Sequence, residues 1–483
     1  MLEFFSDLRN LVVGVLTVFL TVVTAGHVIL YKRDVRSATG WFGVVLLFPL
    51  MGPVLYVLFG INRIKRLAGE LRSQSRNFQS TTAELARQHL KVHEVLPPGS
   101  EHLDTLGTLV DRVTRVPVTD GNEVKVLVNG DQAYPEMCGA IDEARHTVAL
   151  GTYIFDRDEA GEMFADALER AVKRNVTVRV LIDGVGAAYS WPSMVRNLRN
   201  RGIKVERFLH SWVPWRMPFM NLRSHRKILV TDGEVGFAGG MNIRKGHLLA
   251  IDPQSPIQDL HFRFDGPVVA HLMEVFAADW GFSTGESLTG PDWFPVLKRK
   301  GKVVARGIAD GPDEDFDQLR WTLLGALARA QRSVRILTPY FLPDSTLITA
   351  INLACLRGVD VEIVLPEVSN LRFVSWATNH ELWQVLVKGA RVYASPPPFD
   401  HGKLMIVDGI WSLVGSANWD PRSLRLNFEF NVECYDADLA RELEGIIADR
   451  IASGRQVTRQ ELNDRSLPVK LRDGLVRLFK PYL

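Results

Sequence analysis

Cysteine is scarce. Cys138, Cys355 and Cys434 are the only three in 483 residues, odd in number and far apart, so neither a disulfide framework nor a cysteine-based metal site is available to them. A reducing compartment suits such a set. Charge of one sign is also lacking, because 57 Lys and Arg face 55 Asp and Glu for a formal net charge of +2. That balance supplies no bulk basic field of the kind that carries nucleic-acid binding, so no nucleic-acid partner is expected. Low-complexity tracts are missing too, and 46% hydrophobic with 9% aromatic residues exclude a disordered chain. The length exceeds one ordinary core, so two or three folded units are expected.

Long apolar runs are present, and only at the start. Leu11 to Tyr31 is broken only by His27, and Trp41 to Ile61 carries no charge. Each is long enough to cross a hydrocarbon core of about 30 Å as a helix rising about 1.5 Å per residue. Two membrane-spanning segments over 1–62 are therefore expected. A cleaved signal peptide is disfavoured, since Glu3 and Asp7 stand where a basic cluster would be and a second run follows. Pro49, Gly52 and Pro53 interrupt the second run, which leaves a re-entrant hairpin as its alternative. Lys32, Arg33 and Arg36 lie between the runs, against Arg9, Arg63, Lys65, Arg66, Arg72 and Arg76 on the other side. The excess favours a cytoplasmic body. A polar helical tether over 63–115 follows, interrupted by Pro97-Pro98-Gly99-Ser100.

Beyond Val116 short β-branched runs alternate with amphipathic stretches. Candidate strands are Val124–Val128, Thr147–Phe155, Val176–Ile182, Lys204–Phe208, Lys227–Thr231 and Val235–Ala238, with helices over Tyr134–Arg145, Glu159–Lys173 and Met194–Asn200. This alternation predicts an α/β sandwich with a largely parallel sheet. The order then repeats. Thr147–Phe155 parallels Ser333–Phe341, Val176–Asp183 parallels Val359–Pro366, and Arg201–Val205 parallels Lys388–Val392. Two similar halves, 116–300 and 301–483, are expected to pack face to face about a pseudo-twofold around a shared cleft.

The strongest repeat is chemical. Ser224-His225-Arg226-Lys227 continues to Asp232 and to Gly239-Gly240-Met241-Asn242, while Asp400-His401-Gly402-Lys403 continues to Asp408 and to Gly415-Ser416-Ala417-Asn418, with identical intervals. Residues two apart in a strand share a face, so His225 pairs with Lys227 and His401 with Lys403. A neutral imidazole attacks an anionic phosphodiester where hydroxide is repelled, and an ammonium offsets charge on the phosphoryl oxygens. One His serves as nucleophile and the other as acid, and symmetry alone does not say which. Gly240, Ser416, Asn242 and Asn418 are candidate phosphate-binding positions, through backbone N–H groups and amide donors.

The paired motifs resemble the phospholipase D superfamily, and the resemblance extends through Asn418-Trp419-Asp420-Pro421-Arg422-Ser423-Leu424-Arg425-Leu426-Asn427-Phe428-Glu429. It implies catalytic residues His225, Lys227, Asp232, His401, Lys403 and Asp408, with no metal and no cofactor. It also implies a late carboxylate that holds the catalytic His, carried over as Glu429 in the second half and Asp259 in the first. With Trp41-Phe42-Gly43 and Leu58-Phe59-Gly60 bounding the second apolar run, the whole chain resembles the bacterial cardiolipin synthases. That resemblance implies two phospholipase D-like halves preceded by two transmembrane helices in the bacterial inner membrane. The implied reaction passes a phosphatidyl group from one phosphatidylglycerol to another through a phosphatidyl-histidine, with His225 as nucleophile and His401 as acid, then base. A hydrolytic or alcohol-exchanging phospholipase D is the alternative, and a membrane-tethered nuclease a more distant one. Trp212, Trp215, Phe219 and Met220 either dip into the bilayer or cover the cleft, and Leu475–Tyr482 either meets a membrane surface or packs on the body.

Overall fold

The computed structural model describes residues 2–32, 35–60, 96, 99–189, 192–209, 222–312 and 317–480. Most of the expected tether and all of Trp212–Met220 lie outside them. Two compact units are present, Met1–Leu67 and Ala68–Leu483.

In the first unit a helix runs over Leu2–Tyr31, and Asn10–Tyr31 is the one stretch among the described residues long and apolar enough to cross a membrane. The second apolar run is not a single helix. It divides into Val35–Leu47 and Met51–Leu55, followed by a helical turn over Tyr56–Gly60. A helix of 13 residues spans about 20 Å, short of a hydrocarbon core. The cause is local: Pro49 and Pro53 offer no N–H, and a side chain at Gly52 would meet the Val44 carbonyl oxygen at 2.6 Å, so only glycine permits the fold-back. Val28, Val45 and Tyr56 are buried together, and Tyr56 Oη lies 2.9 Å from His27 Nδ1.

Among the described residues the second unit contains eighteen strands. They are β1 (Thr119–Val128), β2 (Thr147–Thr152), β3 (Thr177–Asp183), β4 (Val205–Phe208), β5 (Arg223–Ser224), β6 (Ile228–Thr231), β7 (Val235–Gly239), β8 (Ile257–Gln258), β9 (Leu260–Asp265), β10 (Val303–Asp310), β11 (Ser333–Leu337), β12 (Asp360–Pro366), β13 (Arg391–Ser395), β14 (Phe399–Asp400), β15 (Leu404–Val407), β16 (Trp411–Gly415), β17 (Asn427–Tyr435) and β18 (Arg455–Val457). The first half orders its strands β1-β9-β7-β6-β2-β3-β4 and the second β10-β17-β16-β15-β11-β12-β13, with β18 added at the outer edge. The repeat read from sequence is therefore a repeat of topology.

Two expectations are corrected here. The sheet is mixed, not largely parallel: only β2·β3, β3·β4, β11·β12 and β12·β13 run parallel within the halves, while β6·β7 and β15·β16 are tight hairpins that must be antiparallel. The halves also join edge to edge, not face to face. β1 pairs antiparallel with β10, so both halves share one continuous sheet, and this pairing leaves no open strand edge at the junction.

Helices cover the sheet by ordinary amphipathic logic. Over Glu159–Lys173 the buried residues Ala160, Phe164, Ala167, Leu168 and Ala171 recur at helical spacing, and Asp158 caps the first turn by accepting from Gly161 N–H at 3.0 Å. The helix Asp104–Thr114, within the stretch expected as tether, places Leu106 and Val110 in the core of the second half. There Asp111 meets Arg306, whose buried guanidinium also pairs with Glu433.

Candidate active site

The two strand-borne motifs end on opposite sides of a crossed junction. Short β5 runs parallel to the start of β17, with Ser224 opposite Phe428, and His225 N–H donates to Phe428 O at 2.8 Å. In the mirror arrangement β14 runs parallel to β8, with Asp400 opposite Gln258, and His401 N–H donates to Gln258 O at 2.7 Å. Each histidine is thus laid beside the residues that precede the other half's carboxylate. His225 Nδ1 lies 3.0 Å from Glu429 Oε2, and His401 Nδ1 lies 2.7 Å from Asp259 Oδ2. The carboxylates read from sequence are both at the histidines, but each serves the His of the opposite half. Their equivalence shows in the sheets, where Asp259 and Glu429 each precede by two the partners of Gly239 and Gly415, namely His261 and Asn431.

Glu429 is fully buried, and it accepts from Ser416 Oγ and from Asn427 Nδ2 at 3.1 Å as well as from His225. An ionised carboxylate only accepts, so His225 carries its proton on Nδ1 and keeps the Nε2 lone pair for chemistry. Burial opposes ionisation of Glu429, yet its interaction with His225, the charge of Lys227 and the Ser416 hydrogen bond outweigh it and hold its pKa below the usual range. At Asp259 burial prevails over Lys403 and His247, and the pKa is raised. Burial also lowers His225, against the pull of Glu429, and drives His401 well down, helped by Lys403 and Lys227. Both imidazoles are therefore neutral in the free protein.

The two lysines complete the cleft. Lys227 Nζ donates to His225 O at 2.7 Å, and Lys403 Nζ donates to His401 O. Each keeps further N–H bonds for an incoming group. Burial pushes Lys227 down to about 7 and Lys403 to about 8, and each lysine's charge contributes to lowering the pKa of both histidines. The four groups share one electrostatic environment. A site with two crowded cations and neutral bases favours an anion, since a single negative charge relieves the repulsion that burial magnifies.

Tyr153 and Tyr340 also belong to the site. The Tyr153 ring lies 5.3 Å from the His225 ring and beneath Lys227 Nζ at 5.7 Å, while Tyr340 lies 6.4 Å from His401. Sequence reading passed over both. The available signal was their position at the ends of the repeated strands Thr147–Phe155 and Ser333–Phe341, though one residue out of register.

Three expected roles change. Asp232 and Asp408 sit at the far ends of β6 and β15, on the order of 20 Å of extended chain from the histidines. Asp232 accepts from the N–H groups of Arg145, His146 and Thr147 at 2.7–2.8 Å, and Asp408 from Gln331, Arg332 and Ser333 at 2.7–2.9 Å, with His102 Nε2 at 2.7 Å. They fasten hairpin turns to β2 and β11, each with a left-handed backbone, and they do not reach the cleft. Gly240 and Ser416 offer no N–H to a ligand, because those groups donate to Leu260 O and Phe430 O in the sheet. A side chain at Gly240 would meet Asp259 Oδ1 at 2.2 Å, so the glycine makes room for the carboxylate. Ser416 instead spends its hydroxyl on Glu429. Asn242 Oδ1 accepts from Ile154 N–H at 3.1 Å, and Asn418 Nδ2 donates to Ser423 Oγ at 3.2 Å, both buried beside the strand ends.

Comparison with known proteins agrees with this geometry. The family described as cardiolipin synthase, PLD-like domain, matches residues 137–280 and 323–451, and the phospholipase D-nuclease N-terminal family matches residues 19–60. Cardiolipin synthase 1 of Bacillus anthracis is 30% identical over 98% of this chain and 94% of its own length, and the major cardiolipin synthase ClsA of Bacillus subtilis is 31% identical over 94% and 95%. A phosphatidylserine synthase structure from Haemophilus influenzae has the same fold, with TM-score 0.60 and 16% identity over 78% of this chain and all of that one.

Replacing Asp408 or Asp232 by Ala should lower stability without removing chemistry, because three N–H groups lose their acceptor at about 1–3 kcal/mol each, less what water restores. The expected result is a lowered melting temperature with turnover per folded molecule within about twofold of the parent. Loss of turnover at unchanged melting temperature would return these aspartates to the catalytic set.

Proposed function

We infer, from the premise that this chain belongs to the cardiolipin synthase family of phospholipase D-like proteins, that it joins two phosphatidylglycerol molecules into cardiolipin with release of glycerol. One observation carries the reading: two neutral histidines, each held through Nδ1 by a buried carboxylate of the opposite half, share a cleft with two lysines. His401 takes up a proton from solvent as the anionic phosphodiester enters; His225 Nε2 then attacks phosphorus, the P–O bond to glycerol breaks, and His401 delivers that proton to the departing oxygen. The hydroxyl of a second phosphatidylglycerol then gives its proton to His401, forms the new P–O bond and displaces His225. Attack at phosphorus leaves positive charge on the imidazole, which needs an ionised partner. Glu429, held below the usual carboxylate range, fits under the nucleophile, while Asp259 at 2.7 Å from Nδ1 orients His401 for proton transfer.

Residues His225, Lys227, His401 and Lys403 carry this role, with Asp259 and Glu429 orienting the histidines. Placement at the bacterial inner membrane is supported by the proposed substrate and by the apolar helix Asn10–Tyr31. A re-entrant second run would, by order along the sequence alone, group Lys32, Arg33, Arg36, Arg63, Lys65, Arg66, Arg72 and Arg76 against Arg9. That asymmetry supports a cytoplasmic body more strongly than two full spans do.

His225→Ala and His401→Ala should each abolish cardiolipin formation, and in bilayers the parent should yield cardiolipin and glycerol with little phosphatidic acid, read by lipid mass spectrometry. Phosphatidic acid as the main product would make the protein a hydrolase. The pH profile of kcat/KM reports the free enzyme. Lys227 and Lys403 are charged below about 7 and about 8, so kcat/KM should fall as pH rises through that window; a rate flat well above it would remove the lysines from phosphate binding. A cysteine introduced at Ser6 should react with a membrane-impermeant reagent from outside intact cells if the second run is re-entrant. Protection of that cysteine would favour two full spans.

A further inference from the structure

Buried and half-buried arginines of this fold are often matched to carboxylates: buried Arg226 to Asp279 at 2.6 Å and Arg306 to Glu433, half-buried Arg179 to Glu286 at 2.6 Å. Arg223 and Arg422 break the pattern. Arg223 Nη1 donates to Tyr153 Oη at 2.9 Å, but its Nε is buried with no acceptor, and Nη2 of Arg422 is likewise buried with none. Among the described residues neither forms an ion pair or side-chain hydrogen bond with a carboxylate; Asp183 acts on Arg223 and Asp420 on Arg422 only through space. The acids in the neighbourhood are otherwise engaged, since Asp183 accepts from the N–H groups of Val185, Gly186 and Ser224, and Asp420 from that of Ser423.

The backbone holds these two arginines together. Arg223 is the strand partner of Asn427, whose own N–H donates to Arg422 O at 2.9 Å. Burial and then the charge of Arg223 lower the pKa of Arg422, so the guanidiniums feel each other. Two like charges with idle, desolvated donors cost stability unless an anion joins them. A guanidinium fork matches a phosphate oxygen pair.

The pair also lies beside the nucleophile. Arg223, His225 and Lys227 alternate along one extended segment and so share a face. Tyr153 links them, with its hydroxyl on Arg223 and its ring 5.3 Å from His225 and 5.7 Å from Lys227 Nζ. If the proposed reaction holds, two phosphoryl groups share the cleft in the second step: the phosphoramidate on His225 and the anionic phosphodiester of the acceptor. The lysines serve the one bound to His225, and the other needs cations of its own.

We propose that Arg223 and Arg422 form an anion subsite that holds the phosphodiester of the acceptor lipid while its hydroxyl attacks the phosphatidyl group on His225. The proposal rests on the synthase reading and adds the acceptor's place to it. Glycerol and water, as acceptors, carry no charge and make no use of the subsite, which gives the test.

Full-length protein is reconstituted in phosphatidylglycerol bilayers with isotope-labelled glycerol, and two products are followed: cardiolipin, and phosphatidylglycerol that has acquired label by exchange. For Arg223→Gln and Arg422→Gln the ratio of cardiolipin to exchange should fall about tenfold, the order expected from losing a charge-assisted bond to phosphate. An unchanged ratio, whether both rates stay or both fall, would overturn the subsite. Where a Gln variant melts early, Arg→Lys at the same position reads the same ratio, since it keeps the charge and loses the fork. Parent protein that exchanges glycerol yet makes no cardiolipin would defeat the synthase reading instead, before any variant is compared.

Discussion

A histidine of each half is aligned by a carboxylate of the other, and the rest of the catalytic unit is arranged to allow it. The bond from His225 to Glu429 and that from His401 to Asp259 require β5 to lie on β17 and β14 to lie on β8. Those pairings in turn require the halves to meet along β1 and β10. Neither half contains a complete dyad. Duplication here did not make two sites but one, whose integrity depends on the junction.

The cleft is costly to assemble. Two lysines and two histidines are desolvated together, and the lysines fall to about 7 and about 8 as a result. The orienting carboxylates offset part of this, and differently: the environment keeps Glu429 ionised and pushes Asp259 upward. A near-symmetric fold thus acquires an asymmetric site. Part of the difference comes from neighbours without counterparts, since Glu429 is bound by Ser416 and Asn427 where Asp259 faces Gly240 and the Leu260 N–H.

Repetition in a sequence does not distinguish chemistry from architecture. His, Lys, Asp and the small residues all recur at the same intervals, yet only the first two face the cleft. The aspartates recur because each hairpin must be tied to the neighbouring parallel strand, and one carboxylate accepting three N–H groups does so at both places. Gly240 and Ser416 recur as small because a carboxylate packs against that position.

From the sequence alone came the two halves, most strands and helices of the first half, the paired His and Lys and the apolar amino-terminal helix, while both orienting carboxylates came from the resemblance to the phospholipase D superfamily. The elements rest on side-chain period and composition, and the halves and paired motifs on one pattern recurring along the chain. Tertiary structure alone decided which carboxylate serves which histidine, that the halves share one sheet, that Pro49, Gly52 and Pro53 fold the second apolar run back, and that Tyr153, Arg223 and Arg422 gather beside His225. Each of these depends on groups far apart in the chain being brought to hydrogen-bond distance. A strand's own residues dictate its pleat and its buried face, but not the strand it lies against, because backbone N–H and C=O groups are alike along every strand.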